Sequence, residues 1–286
     1  LRQSAISHAR FLHSWKPWKM SYINLRSHKK VLVIDGKVGF TGGMNIGAEN
    51  LLVINPRDPV QDMHFRVDGP VVAHLLQTFI EDWAFTTGEE LEGEVWHSEM
   101  TDCGPAIARG LSSGPDEENE TIQMIIAGAL GRAIERVRIV TPYFLPDERL
   151  VNIIRLAALR GIRVDIVLPV QSNHRYVQWA MKAHVDQFME VGCIIHLTPD
   201  PFDHTKLMTV DDWWTFFGSA NWDSRSLRLN FEFNVECYDR EFTADINRRI
   251  DAKIKAARPL HMAEIESRSQ LMRLRDSATR LMLPYL

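Results

Sequence analysis

The chain has little cysteine: only Cys103, Cys193 and Cys237 in 286 residues. They lie far apart, with no Cys-x-x-Cys and no His-rich ligand spacing beside them. That argues against a disulfide framework and a structural zinc site, and fits a reducing compartment. No apolar run reaches the roughly 18 residues that a spanning helix needs. An excess of basic residues is missing too, since the formal net charge is −4. A protein that tracks nucleic acid must neutralise many phosphates, so nucleic acid is not an expected partner. No signal-peptide pattern is present. The opening "LRQSAISHARFL" reads as the end of a helix followed by a strand, and the chain is expected to begin inside a longer protein.

The chain does have the apolar content for a packed core: 45% hydrophobic against 24% charged. "HKKVLVIDGKVGFTG" reads as a strand, a turn at Asp35-Gly36 and a second strand. "DMHFRVDGP" is a further strand. After Pro70, a stripe of Val71, Val72, Leu75, Leu76, Phe79, Ile80 and Trp83 has helical spacing. Between Thr86 and Asn119, Gly, Ser, Pro and acidic residues dominate, which reads as a surface connection. Beyond it, helices over 122–135, 146–159 and 174–191 alternate with strands "VRIVTPYF", "RVDIVLP" and "CIIHLTP". That alternation predicts an α/β architecture. The tail from Thr243 reads as a charged helix pair, with Arg248–Arg258 as a solvated face.

One pattern occurs twice. "SHKKVLVID" and "DHTKLMTVD" both contain His-x-Lys-x4-Asp. His28 matches His204, Lys30 matches Lys206 and Asp35 matches Asp211, each pair 176 residues apart. Gly42 and Gly218, Gly43 and Ser219, and Asn45 and Asn221 keep the same offset. A lone His-x-Lys carries little information, but six matched positions without a gap indicate a duplicated unit.

Residues i and i+2 of a strand share a face, so His and Lys of each copy point the same way. Two copies face to face bring together two imidazoles, two ammoniums and two amides. Such a site suits a phosphoryl group. Lys30 and Lys206 neutralise it, and Asn45, Asn221 and Ser219 donate to its oxygens. One histidine attacks phosphorus and the other moves the proton. Two lysines supply the positive charge, so neither a metal nor a cofactor is called for. Asp62 and Glu232 follow the motifs and are read as orienting carboxylates, each paired with the histidine of the opposite copy. Asp35 and Asp211 sit at the hairpin turns and are read as structural.

These features resemble the phospholipase D superfamily, whose signature is two His-x-Lys-x4-Asp motifs. The resemblance extends to its cardiolipin synthase branch through "NLRSHKKVLVIDGKVGFTGGMNIG", "DMHFRVDGPVV", "SSGPDEE", "TPYFLPDERL", "FDHTKLMTVDDWWTFFGSANWDSRSLRLNFE" and "ATRLMLPYL". It implies an α/β fold of two pseudo-symmetric phospholipase D-like repeats, each a mixed β-sheet flanked by helices, with the active site between them. The repeats would span 1–85 and 120–286, joined by a linker over 86–119. The first would be truncated at its N-terminus by roughly 70–100 residues, judged from the second copy.

The implied reaction is a transesterification. Phosphatidylglycerol gives a phosphatidyl group to His28, with His204 as acid and base, and a second phosphatidylglycerol hydroxyl completes cardiolipin. Water as acceptor would make the same site a hydrolytic phospholipase D. A nuclease of this fold is disfavoured by the net charge, and a silent scaffold by the intact motifs. The implied setting is a membrane surface, at a bacterial inner membrane with the catalytic part facing the cytoplasm. The segment His13–Tyr22, with Trp15, Trp18, Tyr22, Lys16 and Lys19, suits either a lipid interface or a packed loop. Trp213 and Trp214 read as core and pocket wall. Tyr143 and Phe144 are expected at a substrate entrance.

Overall fold

The computed structural model describes residues 6–11, 25–54, 56–96, 100–115 and 120–282. The His13–Tyr22 segment lies outside them.

The first part of the chain forms β1 (Val31–Ile34), β2 (Val38–Gly42), β3 (Val60–Gln61), β4 (His64–Asp68), α1 (Val71–Thr87) and β5 (Ile107–Ser113). The β1–β2 turn places Asp35 and Gly36 in the left-handed region, at φ 52° and 63°. Consecutive left-handed residues give a turn whose twist matches the strands it joins, and Asp and Gly tolerate that geometry best. α1 buries Val71, Val72, Leu75 and Leu76 along one stripe. It stops at Gly88, whose φ of 75° ends the helix.

The second part supplies α2 (Thr121–Arg132), β6 (Arg136–Val140), β7 (Phe144–Leu145), α3 (Glu148–Leu159), β8 (Arg163–Pro169), α4 (Arg175–Lys182), α5 (Asp186–Met189), β9 (Ile194–Thr198) and β10 (Phe202–Asp203). Then come β11 (Leu207–Val210), β12 (Trp214–Gly218), β13 (Trp222–Asp223), α6 (Ser224–Arg228), β14 (Glu232–Tyr238) and α7 (Arg240–Ala256). The described chain ends with β15 (Arg258–Pro259), α8 (Met262–Glu266) and α9 (Gln270–Met282).

Eight strands form one mixed sheet in the order β15-β9-β8-β6-β11-β12-β14-β5, and a smaller antiparallel sheet runs β1-β2-β4. On one face of the large sheet, α2, α3, α4 and α5 close a core around Trp214, Phe144, Phe188 and Ile154. On the other face a second core joins Phe217, Phe233 and Val235 to Leu75 of α1, Ile246 and Ile250 of α7, and Phe65 of the small sheet. The Phe65 and Phe217 rings meet with centroids 4.0 Å apart. Burying a large apolar side chain contributes about 1.5–3 kcal/mol, so this shared core holds the two sheets as one unit.

Several sequence expectations need correction. The stretch 86–119 is not only a surface connection, because β5 within it pairs with all of β14 from Glu232↔Ser113 to Tyr238↔Ile107. A helix over 174–191 is broken at 183–185, where His184 turns inward against Phe188. The helix over 146–159 starts later, capped by Asp147, whose side chain accepts from Leu150 N. His28, Lys30, His204 and Lys206 lie in extended chain just ahead of β1 and β11, not in the strands themselves. Residues 6–10 carry no regular structure.

The two copies are also unequal at one edge. β11 pairs with β6 on its outer side. β1 has no such neighbour among the described residues. Leu32 and Ile34 are accordingly exposed, whereas Met208 and Val210 at the matching positions are buried.

Candidate active site

The register of the two hairpins aligns the copies beyond their motifs. Gly42 pairs with His64, and Gly218 with Asn234. Asp62 and Glu232 stand two residues before these partners, so they are equivalent positions at the start of β4 and β14. Asp62 follows His28 by 34 residues and Glu232 follows His204 by only 28. The first copy therefore carries six extra residues in the loop before β3.

Backbone bonds cross the copies reciprocally. His28 N donates to Phe231 O at 2.8 Å, and His204 N donates to Gln61 O at 2.7 Å. Phe231 and Gln61 immediately precede Glu232 and Asp62. Each histidine is thus fixed beside the carboxylate of the other copy. His204 Nδ1 lies 2.8 Å from Asp62 Oδ2, and His28 Nδ1 lies 3.2 Å from Glu232 Oε1. Both carboxylates are fully buried. A carboxylate accepting from Nδ1–H leaves the lone pair on Nε2.

The lysines fold back in the same way in both copies. Lys30 Nζ donates to His28 O, and Lys206 Nζ donates to His204 O. Lys206 Nζ also lies 3.0 Å from His204 Nε2. Burial pulls Lys206 down to about 7, against the pull of Asp62 and with help from Lys30. Burial also lowers Lys30, opposed by Glu232 and Asp62. His204 is held below the ordinary imidazole value, first by burial, then by Lys206 and Lys30, with Asp62 opposing. Lys30 therefore senses both carboxylates, and it acts on both His204 and Lys206, so the two motifs form one electrostatic cluster. An arriving anion would favour the charged form of both lysines.

A cleft of about 580 Å³ opens beside His28. Arg26, Tyr143, Tyr176, Asn221, Arg225 and Arg280 are among its walls. The Tyr143 ring stands edge-on to His204, centroids 6.2 Å apart. Its hydroxyl donates to Asn173 Oδ1, and burial pushes its pKa up to about 12, so it stays protonated. No helix among the described residues is long and apolar enough to cross a membrane.

The family described as "Cardiolipin synthase, PLD-like domain" matches residues 126–254. Cardiolipin synthase A of Pseudomonas fluorescens is 36% identical over 264 residues, which is 92% of this chain and 55% of the relative. The Pseudomonas putida enzyme of the same name is 34% identical over the same shares. The chain is similar over most of its length to the cardiolipin synthase branch of the phospholipase D superfamily. It spans about half the length of the curated relatives it matches. The phospholipase D fold is also seen in phosphatidylserine synthase of Haemophilus influenzae. That structure has a TM-score of 0.69 at 17% identity and covers 90% of this chain and 70% of its own.

Within this phospholipase D fold the remaining expected residues fall differently. Ser219, expected to donate to the phosphoryl group, is buried, and its hydroxyl donates to Glu232 Oε2 at 2.6 Å. At the equivalent Gly43 a Cβ would meet Asp62 Oδ1 at 2.5 Å. The asymmetry between the copies thus falls on how the carboxylates are held. Asn221 is buried on the cleft wall and donates to Ser226 Oγ. Asn45 is exposed, with no side-chain hydrogen bond among the described residues.

Asp211 adopts φ 49° and accepts from the backbone N–H groups of Ile134, Glu135 and Arg136. Burial alone would raise its carboxyl, but these bonds hold it below the ordinary value. Asp35 has the same backbone, but its carboxylate has no partner among the described residues. Tyr143 lines the cleft, whereas Phe144 is fully buried core. Trp214 is core, and Trp213 stacks on Tyr238 while its indole N–H donates to Asp211 Oδ2.

Two residues escaped sequence reasoning. Asn230 Nδ2 lies 3.3 Å from His28 Nδ1 and 3.4 Å from Glu232 Oε1. His64 feels Asp62 and Lys30, and burial lowers its pKa. Position alone could have flagged Asn230, two residues before Glu232.

Proposed function

We propose that this chain carries the catalytic centre of a phosphatidyltransferase that joins two phosphatidylglycerol molecules into cardiolipin and glycerol. The reading is carried by the crossed pairs His28–Glu232 and His204–Asp62, with both lysines in one cluster. His28 Nε2 attacks the phosphorus of the first lipid. The bond from phosphorus to the glycerol headgroup breaks, and His204 gives its proton to that oxygen. The terminal hydroxyl of the second lipid then passes its proton to His204 and attacks phosphorus. The phosphorus–nitrogen bond breaks, and the histidines return to their starting states. His204 starts low in the empty site because it is buried beside Lys206 and Lys30. The negative charge of the bound phosphodiester shifts it back toward the acid form the step needs. The cleft beside His28 receives the second lipid, with Arg26 and Arg280 facing its phosphate. The names of the curated relatives support cardiolipin as the product, and the membrane is the setting this reaction requires.

The test is to incubate the chain with phosphatidylglycerol labelled on phosphorus. Cardiolipin and glycerol should appear, and acid-labile label should remain on protein denatured during turnover. His28→Ala should lose both signals, and His204→Ala should lose at least roughly 10³ of the rate. Phosphatidic acid in place of cardiolipin would make water the acceptor. Full activity in either variant would end the mechanism.

A further inference from the structure

The last described helix is amphipathic the wrong way round. α9 turns its polar side into the protein. Asp276 is 0% exposed, bonded by Arg268 Nη1 at 2.8 Å and by Arg275. Thr279 is buried beside it. Arg275 covers the Trp179 ring of α4 at 4.2 Å, and Arg268 Nη2 donates to Lys182 O at the end of α4. The opposite side is apolar and bare. Leu271, Leu274 and Leu281 are 79%, 68% and 77% exposed, and with Ala278 they recur at helical spacing along one stripe. The polar inner contacts fix that orientation, so the helix cannot roll to hide its leucines without uncovering a buried carboxylate.

Charge narrows the occupant. Arg273, Arg275 and Arg280 are exposed on α9, and its one acidic residue is the buried Asp276. In a chain of net charge −4 this helix presents only cations to its surroundings. An apolar stripe flanked by arginines fits the interface of an anionic bilayer, with leucines among the acyl chains and guanidinium groups at the phosphates. Location agrees: Arg280, next to Leu281, is on the wall of the cleft that opens at His28.

We infer that the outward face of α9 docks the protein onto an anionic lipid surface, setting the mouth of the cleft against the bilayer. The inference rests on the proposed lipid chemistry only for its choice of a bilayer as occupant. From that surface, a lipid headgroup reaches His28 without leaving the membrane.

The experiment uses flotation of the chain with phosphatidylcholine vesicles, with and without phosphatidylglycerol. The parent should float with the anionic vesicles, and added salt should weaken the association. Leu274→Glu combined with Leu281→Glu should lower the partition coefficient by roughly 100-fold. Both positions point outward, so the melting temperature and turnover of monomeric short-chain phosphatidylglycerol should not change. Arg273→Gln should weaken binding to anionic vesicles only. Parental flotation of the double variant overturns the proposal. So does a change from dimer to monomer in that variant with flotation retained, which would assign the stripe to a second copy. An inactive parent that still floats through these leucines would leave this inference standing and defeat the proposed reaction.

Discussion

Asp62→Asn probes the crossed geometry where it carries most. Asp62 is fully buried, with one oxygen 2.8 Å from His204 Nδ1 and the other accepting Met63 N at 2.7 Å. Asparagine keeps the size and the Met63 bond but removes the charge. A hydrogen bond to a charged group contributes about 1.5–3 kcal/mol, which the imidazolium at His204 would lose. That corresponds to a fall in kcat of roughly 10- to 150-fold. A second readout comes from Lys206, which burial draws to about 7 and which Asp62 supports more than any other group. The lysine must be charged to receive a phosphodiester, so kcat/KM should fall as pH rises through that value. Without Asp62 the value drops, and the falling limb should move to lower pH. Initial rates of cardiolipin formation from about pH 5.5 to 9 measure both effects, with a thermal melt to verify folding. A folded variant with parental kcat, or a limb that stays or moves to higher pH, would refute the reasoning.

Three further outcomes follow from the asymmetries between the copies. Asp211→Ala removes three backbone hydrogen bonds and should cost about 2–4 kcal/mol in urea unfolding, whereas Asp35→Ala loses only its left-handed preference, about 1 kcal/mol. Equal losses would contradict the unequal bonding. Ser219→Ala leaves the buried Glu232 without its 2.6 Å donor, and should cost about 1–3 kcal/mol and slow turnover. A variant that melts and reacts like the parent would show that this bond does not matter. Arg26→Gln should lower the ratio of cardiolipin to phosphatidic acid several-fold, because water carries no phosphate to be held, and an unchanged ratio would remove Arg26 from acceptor binding.

The duplicated motif was readable in the sequence because its spacing is rigid: a short strand, a tight turn and a second strand leave no room for insertions. The alternation of strands and helices after residue 120 was readable for a similar reason, since Ile139 with Val140 and Ile166 with Val167 mark strands buried on both faces. β5 was hidden because "IARGLSS" is an edge strand with a glycine and two serines, and its neighbour β14 comes much later in the chain. Gly110 is needed there, since a Cβ would meet His74 and Phe233 at 2.7 Å. A serine beside a phosphate motif reads as a donor to phosphate, and only the fold reveals that the Ser219 hydroxyl reaches Glu232. The inverted helix α9 could not be read from periodicity, which identifies two faces but not which of them is covered.

The reciprocal backbone bonds have one more meaning. His28 touches Phe231, and His204 touches Gln61, in the manner of an isologous contact, where patch i meets patch j and j meets i. Such symmetry is what two identical subunits produce when they associate about a twofold axis, here joined end to end in a single polypeptide. Identical subunits must change both halves of the contact at once. Covalent fusion lifts that restriction, and the two dyads have used the freedom: one holds aspartate against glycine, the other glutamate against serine.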